Sequence, residues 1–530
     1  MSAASSETPT GKMPILLAVC LAALVLPLSF SGGAVATPAI GGDLGGGPTA
    51  LNWITNAFML TFGSSLMAAG ALADQFGRKR LFMIGIIAFA ILSLALSVAP
   101  SILVLDILRA GQGFAAAAAL AGGTAALAQE FEGRARTRAF SLLGTTFGVG
   151  LAFGPLLAGV LIAAFDWRAI FLSGTIIGLL SLLLTARRMR ESRDPDATGL
   201  DHAGALTFTA MLGLFTYGVI EAPEIGWSHP VVVAALLGAA TMLVAFVLVE
   251  TRSERPMLDL SLFRYPRFVG VQVLPVATCY CYVVLLVLLP LRFIGVAGLG
   301  EVDAGLLLVA LSAPMLAMPL VASSLVRWLP AGVLSGAGLS AAAIGLFWLG
   351  RADPASSGID VILPMLLIGI GTGLPWGLMD GLSVSVVPKE RAGMATGIFS
   401  TTRVAGEGVA LAIVNAVLAA LAKARLAAVP PRHGWDVSQA AQRLAMGDVR
   451  GASALLPGLT ESEIHESYAV AFRHLSIVLI AITVVSALVI LVLLGRRDPQ
   501  AEDADENGFS GRGPARSSEI QTAIGSDGIV

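Results

Sequence analysis

The sequence predicts an all-α polytopic membrane protein with 14 transmembrane helices, on the evidence of its composition, its hydropathy pattern and the placement of its basic residues. Of 530 residues, 56% are hydrophobic and 13% are charged, and the mean hydropathy is +0.83. Such a chain is too apolar to fold as a solvated globular domain, and its apolar runs can cross about 30 Å of hydrocarbon. The net charge of −2 is a sum over loops on both sides of a bilayer, so it indicates no charged partner.

A window of about 19 residues identifies the helices in chain order. Six are predicted at 13–36, 50–72, 81–99, 102–129, 138–164 and 168–186, two at 203–222 and 230–250, and six at 268–292, 304–328, 331–350, 360–387, 392–424 and 468–494. At about 1.5 Å of rise per residue, each helix is long enough to span the hydrocarbon core. A basic linker follows the sixth helix.

The basic residues support this count and predict the orientation. With a cytoplasmic N-terminus, the short inner loops hold Arg78, Lys79, Arg80, Arg134, Arg136, Arg138, Arg187, Arg188, Arg190, Arg193, Arg252, Arg255, Arg264, Arg267, Arg327, Lys389 and Arg391. The short outer loops hold only Arg168, Arg292 and Arg351. This asymmetry follows the positive-inside rule, so both termini are predicted to be cytoplasmic. The long outer segment 425–466 is exempt from the rule and is predicted to hold a short amphipathic helix near "DVSQAAQRLAMGDV".

The stretch "GALADQFGRKR" lies in the predicted inner loop between the second and third helices. Its basic residues could be a topology signal and nothing more. Asp74 adds little to topology, however, and Gly77 follows it where the chain must turn tightly between adjacent helices. Gly70 permits close helix approach. We interpret the stretch as a packed, charge-paired hinge.

At this point the residues resemble a known family. The pattern Gly70-x-Leu72-x-Asp74-x-x-Gly77-Arg78-Lys79 is similar to the signature loop of the major facilitator superfamily. "ILRAGQGFAAA" in the fourth helix resembles the superfamily's arginine motif, and "DWRAIF" resembles the start of its sixth helix. "GLAFGPLLAG" in the fifth helix resembles the antiporter motif of exporters, with Gly150, Gly154, Pro155 and Gly159. Together with 14 helices and "ERAGMATGIFSTTR" in the thirteenth, these motifs resemble the fourteen-helix drug:proton antiporter branch.

The resemblance implies the major facilitator fold: two six-helix bundles, at 13–186 and 268–494, separated by a linker with two inserted helices at 187–267. Residues 1–12 would be cytoplasmic and 495–530 a disordered tail. The bundles would rock around a central cavity, with Gly70, Asp74, Gly77, Arg78 and Lys79 as a conformational latch. The implied partners are a small-molecule substrate, protons and the lipid bilayer of a bacterial cell membrane. No nucleic acid, cofactor or metal is expected, and the protein is expected to be a monomer.

Charged residues inside the predicted helices are candidates for proton coupling or substrate contact, because each is costly unless it pairs or faces water. They are Asp106, Arg109, Asp380, Arg403 and Glu407. The spacing i, i+3 of Asp106 and Arg109, and i, i+4 of Arg403 and Glu407, would also allow two ion pairs that only neutralise each other. Asp380 has no charged neighbour in its own helix and could instead form a hydrogen bond to another helix.

The first helix departs from the family. The fourteen-helix branch usually has an Asp there, whereas this chain has Ser29 in "LSFSGGAVATPAI". Glu407 is a departure of the opposite kind, because the family usually has Gly at that position. We therefore hypothesise that the acidic role has moved from the first helix to the thirteenth.

Function classes other than transport lack sequence support. The chain has no H-E-x-x-H, no P-loop and no G-x-S-x-G with supporting His and Asp, so an enzyme or an ATP-driven pump is not indicated. The primary prediction is proton-coupled efflux of hydrophobic or amphipathic small molecules. Uptake or export of a specific polar or anionic metabolite is the alternative, and a transporter-like sensor is a weaker one. The substrate cannot be deduced, because polyspecific apolar cavities carry no sequence code.

Overall fold

The computed structural model describes residues 12–495, apart from positions 132, 187, 194–200, 254–255, 257, 259, 354–355, 357, 387–391 and 430–434. This part of the chain is helical and contains no β-strand. Fourteen of its helices are long and apolar enough to cross a membrane, which confirms the predicted fold class. The predicted disordered tail after residue 495, the N-terminal segment before residue 12, and the side chains of Arg134, Arg136, Arg138, Arg187, Arg255, Lys389 and Arg391 lie outside the described residues.

The helices follow one another in the predicted order. The first eight are α1 (Met13–Leu44), α2 (Pro48–Phe76), α3 (Arg78–Leu96), α4 (Ile102–Glu130), α5 (Gly133–Ala164), α6 (Arg168–Thr185), α7 (His202–Ile225) and α8 (Pro230–Arg252). The ninth span, Pro266–Val296, contains α9 (Pro266–Thr278) and α10 (Val284–Pro290) with π-helical turns at Cys279–Val283 and Leu291–Val296. The rest are α11 (Glu301–Ser312), α12 (Pro314–Leu325), α13 (Ala331–Leu349), α14 (Ile359–Ser385), α15 (Ala392–Ala427), α16 (Val437–Ala445), α17 (Val449–Ala454) and α18 (Glu461–Leu494).

Several helices extend beyond the predicted apolar segments. The first span continues to Leu44 rather than ending at 36, and the last begins at Glu461 rather than at 468. The helical ends carry polar and glycine residues that lower the hydropathy of a window, although the backbone continues to form helical hydrogen bonds. The tenth span differs in shape as well, because Pro314 divides it into α11 and α12.

Helices α1–α6 pack together as a first half, and the helices from α9 to α15 pack with α18 as a second half. We call the face that carries Met13 and Leu494 the terminus face, and the face that carries α16 and α17 the loop face. The inserted helix α7 lies beside both halves. Its Val219 and Ile220 pack with Ala412 of α15, and its Tyr217 ring lies 6.4 Å from that of Trp53 on α2.

The two halves meet from mid-membrane to the loop face. A Cβ atom on Gly63 of α2 would lie 2.5 Å from the Cα of Ala405 on α15, and the Asn415 side-chain amide donates to Asn52 Oδ1 at 2.7 Å. On the other side of the molecule, a Cβ on Gly159 of α5 would lie 2.3 Å from the carbonyl oxygen of Glu301 at the start of α11. Backbones this close exclude side chains and water, so the loop face is closed.

Along α5, the halves separate toward the terminus face. Gly148 lies 11 residues before Gly159, about three helical turns, and therefore points in the same direction along α5. Yet neither Gly148 nor Gly144 has an atom within 4 Å of its Cβ position, and the same holds for Gly397 on α15 and Gly381 on α14. We interpret this open space between α5, α14 and α15 as a cavity that opens toward the terminus face.

The segment after α15 forms part of the closed face. Helix α16, at the place where an amphipathic helix was predicted, buries Ala440, Ala441 and Leu444, which confirms that prediction. Met446 follows it and lines a gap between α2 and α15 beside Asn52. The cavity volume of this gap is about 20 Å³. That volume holds about one water.

Gly63→Ala should shift the protein away from the closed loop face. The added methyl group would meet the backbone of Ala405, and such overpacking costs about 1–3 kcal/mol. Spin labels on the loop-face ends of α2 and α15 should report a larger population with a long separation. Gly42→Ala is the control, because its Cβ would meet nothing within 4 Å. Identical distance distributions in Gly63→Ala and the wild type would contradict this reading of the contact.

Candidate functional site

An ion pair between two helices of the second half faces the cavity. Arg403 on α15 donates through Nη1 to Asp380 Oδ1 on α14 at 3.2 Å. The Arg403 side chain is 16% exposed and the Asp380 side chain 61%. Phe399 and Phe147 lie 5.5 Å and 5.8 Å from the guanidinium carbon, as measured to the ring centroids. Phe147 belongs to the first half, so the guanidinium lies where the halves face each other.

Glu407 lies one turn beyond Arg403 but does not pair with it. The intrahelical ion pair between Arg403 and Glu407 that the spacing allows does not form in this structure, because Arg403 reaches across to Asp380 instead. Glu407 is 7% exposed, and its carboxylate has no hydrogen bond or ion pair with any described residue. Its neighbours Ala405 and Gly408 contact Gly63 and Met59 of α2. Glu407 is thus a buried, unpaired carboxylate at the height where the halves touch.

Arg109 is the centre of a buried polar network in the first half. Its side chain is fully buried. Nε donates to the carbonyl of Ile54 at 2.8 Å, and Nη1 donates to Ser29 Oγ at 2.9 Å and to Gln112 Oε1 at 2.6 Å. Gln112 in turn donates to Ser93 Oγ at 2.8 Å. The network joins α1, α2, α3 and α4 and leaves one guanidinium nitrogen, Nη2, without a partner.

The ion pair that the spacing of Asp106 and Arg109 allows is also absent. No nitrogen of Arg109 lies within 4.0 Å of an Asp106 oxygen, and Asp106 Oδ1 is buried without a hydrogen-bond partner among the described residues. The guanidinium points instead toward α1 and Ser29, the position at which the resemblance led us to expect an acid. An acid at that position would therefore lie beside Arg109, and in this chain a neutral hydroxyl takes its place.

The glycines of the fifth-helix motif make close contacts with two different helices. A Cβ on Gly150 would lie 2.8 Å from the Leu24 carbonyl oxygen, and one on Gly154 would lie 2.2 Å from Ser31 Oγ, both on α1. Gly159 contacts α11 of the second half, as described above. Pro155 lies inside the helix, and its carbonyl approaches Gly305 of α11. The motif therefore holds α5 against its own half and seals the loop face with its last glycine.

The loop at 70–80 is charge-paired, as its residues suggested. Arg78 donates to Asp74 Oδ1 through Nε at 3.0 Å and through Nη2 at 2.8 Å, and its Nη1 donates to Gln129 Oε1 on α4 at 2.9 Å. Gly77 joins α2 to α3 with φ of +119°, a conformation that favours glycine. The Lys79 ammonium donates to the Ala186 carbonyl at 3.1 Å. These partners all belong to the first half. The close helix approach expected at Gly70 is wrong, because nothing lies within 4 Å of a Cβ there.

Sequence reasoning missed three residues of this arrangement. Asn52 and Asn415 form the hydrogen bond between the halves, and Glu191 binds the start of α3 through two backbone N–H groups. Two asparagines inside apolar helices were a usable signal, because polar side chains at membrane depth usually bond across helices. Glu191 gave no such sequence signal, since a single acidic residue within a basic linker is usually solvated. Among the described residues, no cluster of side chains could hold a metal ion.

Comparison with known proteins identifies a matching family and several relatives that are similar over most of the chain. The family model of the Major Facilitator Superfamily matches residues 19–411. Multidrug resistance protein Stp of Mycobacterium tuberculosis is 34% identical over 394 residues, 74% of this chain and 73% of that protein. Puromycin resistance protein pur8 of Streptomyces alboniger is 31% identical over 509 residues, 94% of each chain. The cephamycin export protein CmcT of Amycolatopsis lactamdurans is 34% identical over 419 residues, covering 78% and 86%.

Solved structures share the fold at low sequence identity. A bacterial homolog of the human lysosomal transporter Spinster, in an inward-facing and unoccupied conformation, superposes with a TM-score of 0.64 at 15% identity, over 93% of this chain and 100% of the other. A D-xylose–proton symporter superposes with a TM-score of 0.56 at 16% identity, over 90% and 97%.

Asp380→Asn should destabilise the protein more than Arg403→Gln. Losing the carboxylate leaves a mostly buried guanidinium without a counter-charge, whereas losing the guanidinium leaves a carboxylate that water can solvate. We expect a difference of about 1–3 kcal/mol in the free energy of unfolding, measured by thermal unfolding in detergent. Asp360→Asn, which alters an exposed carboxylate bonded to Ser356, is the matched control. Equal losses of unfolding free energy in Asp380→Asn and Arg403→Gln would contradict the prediction that the unpaired guanidinium costs more than the unpaired carboxylate.

Proposed function

The chain belongs to the Major Facilitator Superfamily, and on that premise we propose that it exports hydrophobic or amphipathic small molecules in exchange for protons, by alternating access. Its 14 spans fit the fourteen-helix drug:proton antiporter branch. The superfamily comprises transporters, so the protein is not an enzyme. Relatives named for multidrug resistance, puromycin resistance and cephamycin export support efflux of small organic molecules.

Orientation follows from the basic residues. Basic side chains concentrate on loops of the terminus face, so we place this face and both termini in the cytoplasm of a bacterial cell. The structure would then be an inward-open state, with the cavity ready to accept a substrate from the cytoplasm or the inner leaflet. The closed loop face would be the exit. We expect the transporter to act as a monomer.

Glu407 is the residue to which we assign proton coupling, and its isolation carries the assignment. It is buried, it has no partner among the described residues, and it lies beside the contact between the halves. At about 1.5 Å per residue it lies about 20 Å from the terminus-face end of α15, near the depth at which transporters bind coupling ions. Asp380 is a weaker candidate because Arg403 already pairs with it.

A specific polar or anionic substrate is the second candidate. Its support is Arg403, whose guanidinium faces the cavity between two aromatic rings. A substrate carboxylate could displace Asp380 from that cation. An anionic substrate is disfavoured because Asp380 lies beside Arg403 and its negative charge would repel an anion.

Glu407→Gln should abolish gradient-driven transport and spare substrate binding. Glutamine keeps the size and the hydrogen-bonding capacity of glutamate but cannot ionise, so a proton can no longer load and unload. Proteoliposomes that contain the protein and a trapped fluorescent drug probe such as ethidium should lose the probe faster when an inward proton gradient is imposed. Glu407→Gln should lose this acceleration and retain probe binding or exchange.

Asp106→Asn and Asp380→Asn are the matched controls for that experiment. If Glu407→Gln keeps gradient-driven transport while either control loses it, the coupling acid has been misassigned. If the gradient leaves the wild-type rate unchanged, proton coupling itself is refuted.

Asp74→Asn should slow transport strongly without changing membrane insertion. The change removes the charge that holds Arg78 but none of the basic residues that set topology. Loss of about 1–2 kcal/mol from one conformational state would alter the balance of states by about 5- to 30-fold. The measurement is the transport rate per inserted molecule, and a normal rate would reduce the loop to a topology signal.

A further inference from the structure

The start of α3 depends on a carboxylate from a distant part of the chain. Glu191, just after α6, accepts from the backbone N–H of Lys79 through Oε1 and from that of Arg80 through Oε2, each at 3.1 Å. The carbonyl of Ser192 accepts from the backbone N–H of Arg78 at 2.9 Å. The first intrahelical bond of α3 then runs from Leu81 N–H to the Gly77 carbonyl.

These contacts complete a helix end that cannot cap itself. The first turn of a helix has N–H groups without intrahelical partners, and the N-cap side chain usually satisfies one of them. The N-cap of α3 is Gly77, which has no side chain. Glu191 and Ser192 take all three free donors, and the negative charge of Glu191 lies at the positive end of the helix dipole.

Glu191 also restricts position 77 to glycine for a second, steric reason. A Cβ at this position would lie 2.5 Å from Glu191 Oε1 and 2.7 Å from its Cδ. The positive φ angle already favours glycine, but the carboxylate independently fills the space that a side chain would need. The glycine of the loop and Glu191 therefore fit each other as a pair.

The capped end of α3 sets the position of Arg78, its first residue. From there the guanidinium reaches Asp74 and Gln129, so the register in which α3 begins places Arg78 beside both partners. Asp74 remains 42% exposed and Arg78 is 17% exposed, so the acid is free to meet a different partner if Arg78 moves. Glu191 itself is 36% exposed, which suits a contact at a surface hinge.

We propose that Glu191 is a positioning residue for the conformational cycle: it caps α3 and so holds the 70–80 loop against the first half while the terminus face is open. The proposal rests on alternating access as proposed above. The segment that carries Glu191 also begins the connection to α7, which packs on both halves. The cap therefore links the loop to the part of the chain that joins the halves.

The test measures the distance between the halves in the full-length protein reconstituted in lipid, with neither substrate nor proton gradient. Spin labels replace Phe76 on the first half and Trp328 on the second, both exposed at the terminus face, at 60% and 66%. We expect Glu191→Gln to reduce the long-distance, open population about fivefold relative to the short-distance one, the factor that corresponds to losing one helix cap. Glu130→Gln, a carboxylate on the same face without a described side-chain partner, should leave the distribution unchanged.

A double-mutant cycle separates positioning from general damage. Gly77→Ala should shift the distribution in the same direction as Glu191→Gln. In a Glu191→Ala background, Gly77→Ala should have a smaller effect than alone, because the methyl group no longer meets the carboxylate. An unchanged distribution in folded Glu191→Gln, or strictly additive effects in the cycle, would overturn the proposal. A wild type with a single separation under every condition would instead refute alternating access.

Discussion

Helices α2 and α15, from opposite halves of the molecule, approach so closely near Gly63 and Ala405 that no side chain fits between them. This contact decides which face of the protein is closed. The halves touch here and at Gly159 on the other side, and we interpret the open space beside α5, α14 and α15 as the cavity. The same closeness allows reversible closure, since a seam held by backbone packing and by the hydrogen bond between the Asn415 and Asn52 side chains can open without unfolding either half.

The charges inside the membrane are arranged around this seam. Arg109 lies within the first half and is bound entirely by neutral groups, so it acts as a fixed polar centre. Arg403 and Asp380 form a pair that water can reach from the cavity. Among the described charges of α15, Glu407 lies beside the seam without a partner, where separation of the halves would change its surroundings. This difference in environment, rather than the mere presence of an acid, is what distinguishes it as the coupling candidate.

The 70–80 loop at the terminus face depends on contacts that are remote in sequence. The Asp74–Arg78 pair is local, but the register of α3 that allows it comes from Glu191, 112 positions beyond Lys79. Sequence analysis could recognise Gly77 as a turn glycine because its neighbours in the chain imply a tight turn. It could not recognise that a carboxylate occupies the space beside that glycine. The same limit applies to Asn52 and Asn415, which are 363 positions apart.

The sequence by itself determined the number of spans, their order, the placement of the basic loops and the family, because a bilayer imposes length and polarity on each segment separately. It also located Asp106, Arg109, Asp380, Arg403 and Glu407 inside the spans, but the placement of Arg292 in an outer loop was wrong, because that side chain is fully buried inside the ninth span. Only the tertiary structure decided how those charges pair: Arg403 turned to Asp380 rather than to Glu407, and Arg109 turned to Ser29 rather than to Asp106. Spacing along one helix states which partners are within reach. The choice among them depends on how each helix is rotated and on what the neighbouring helices present, and these are properties of the packed protein.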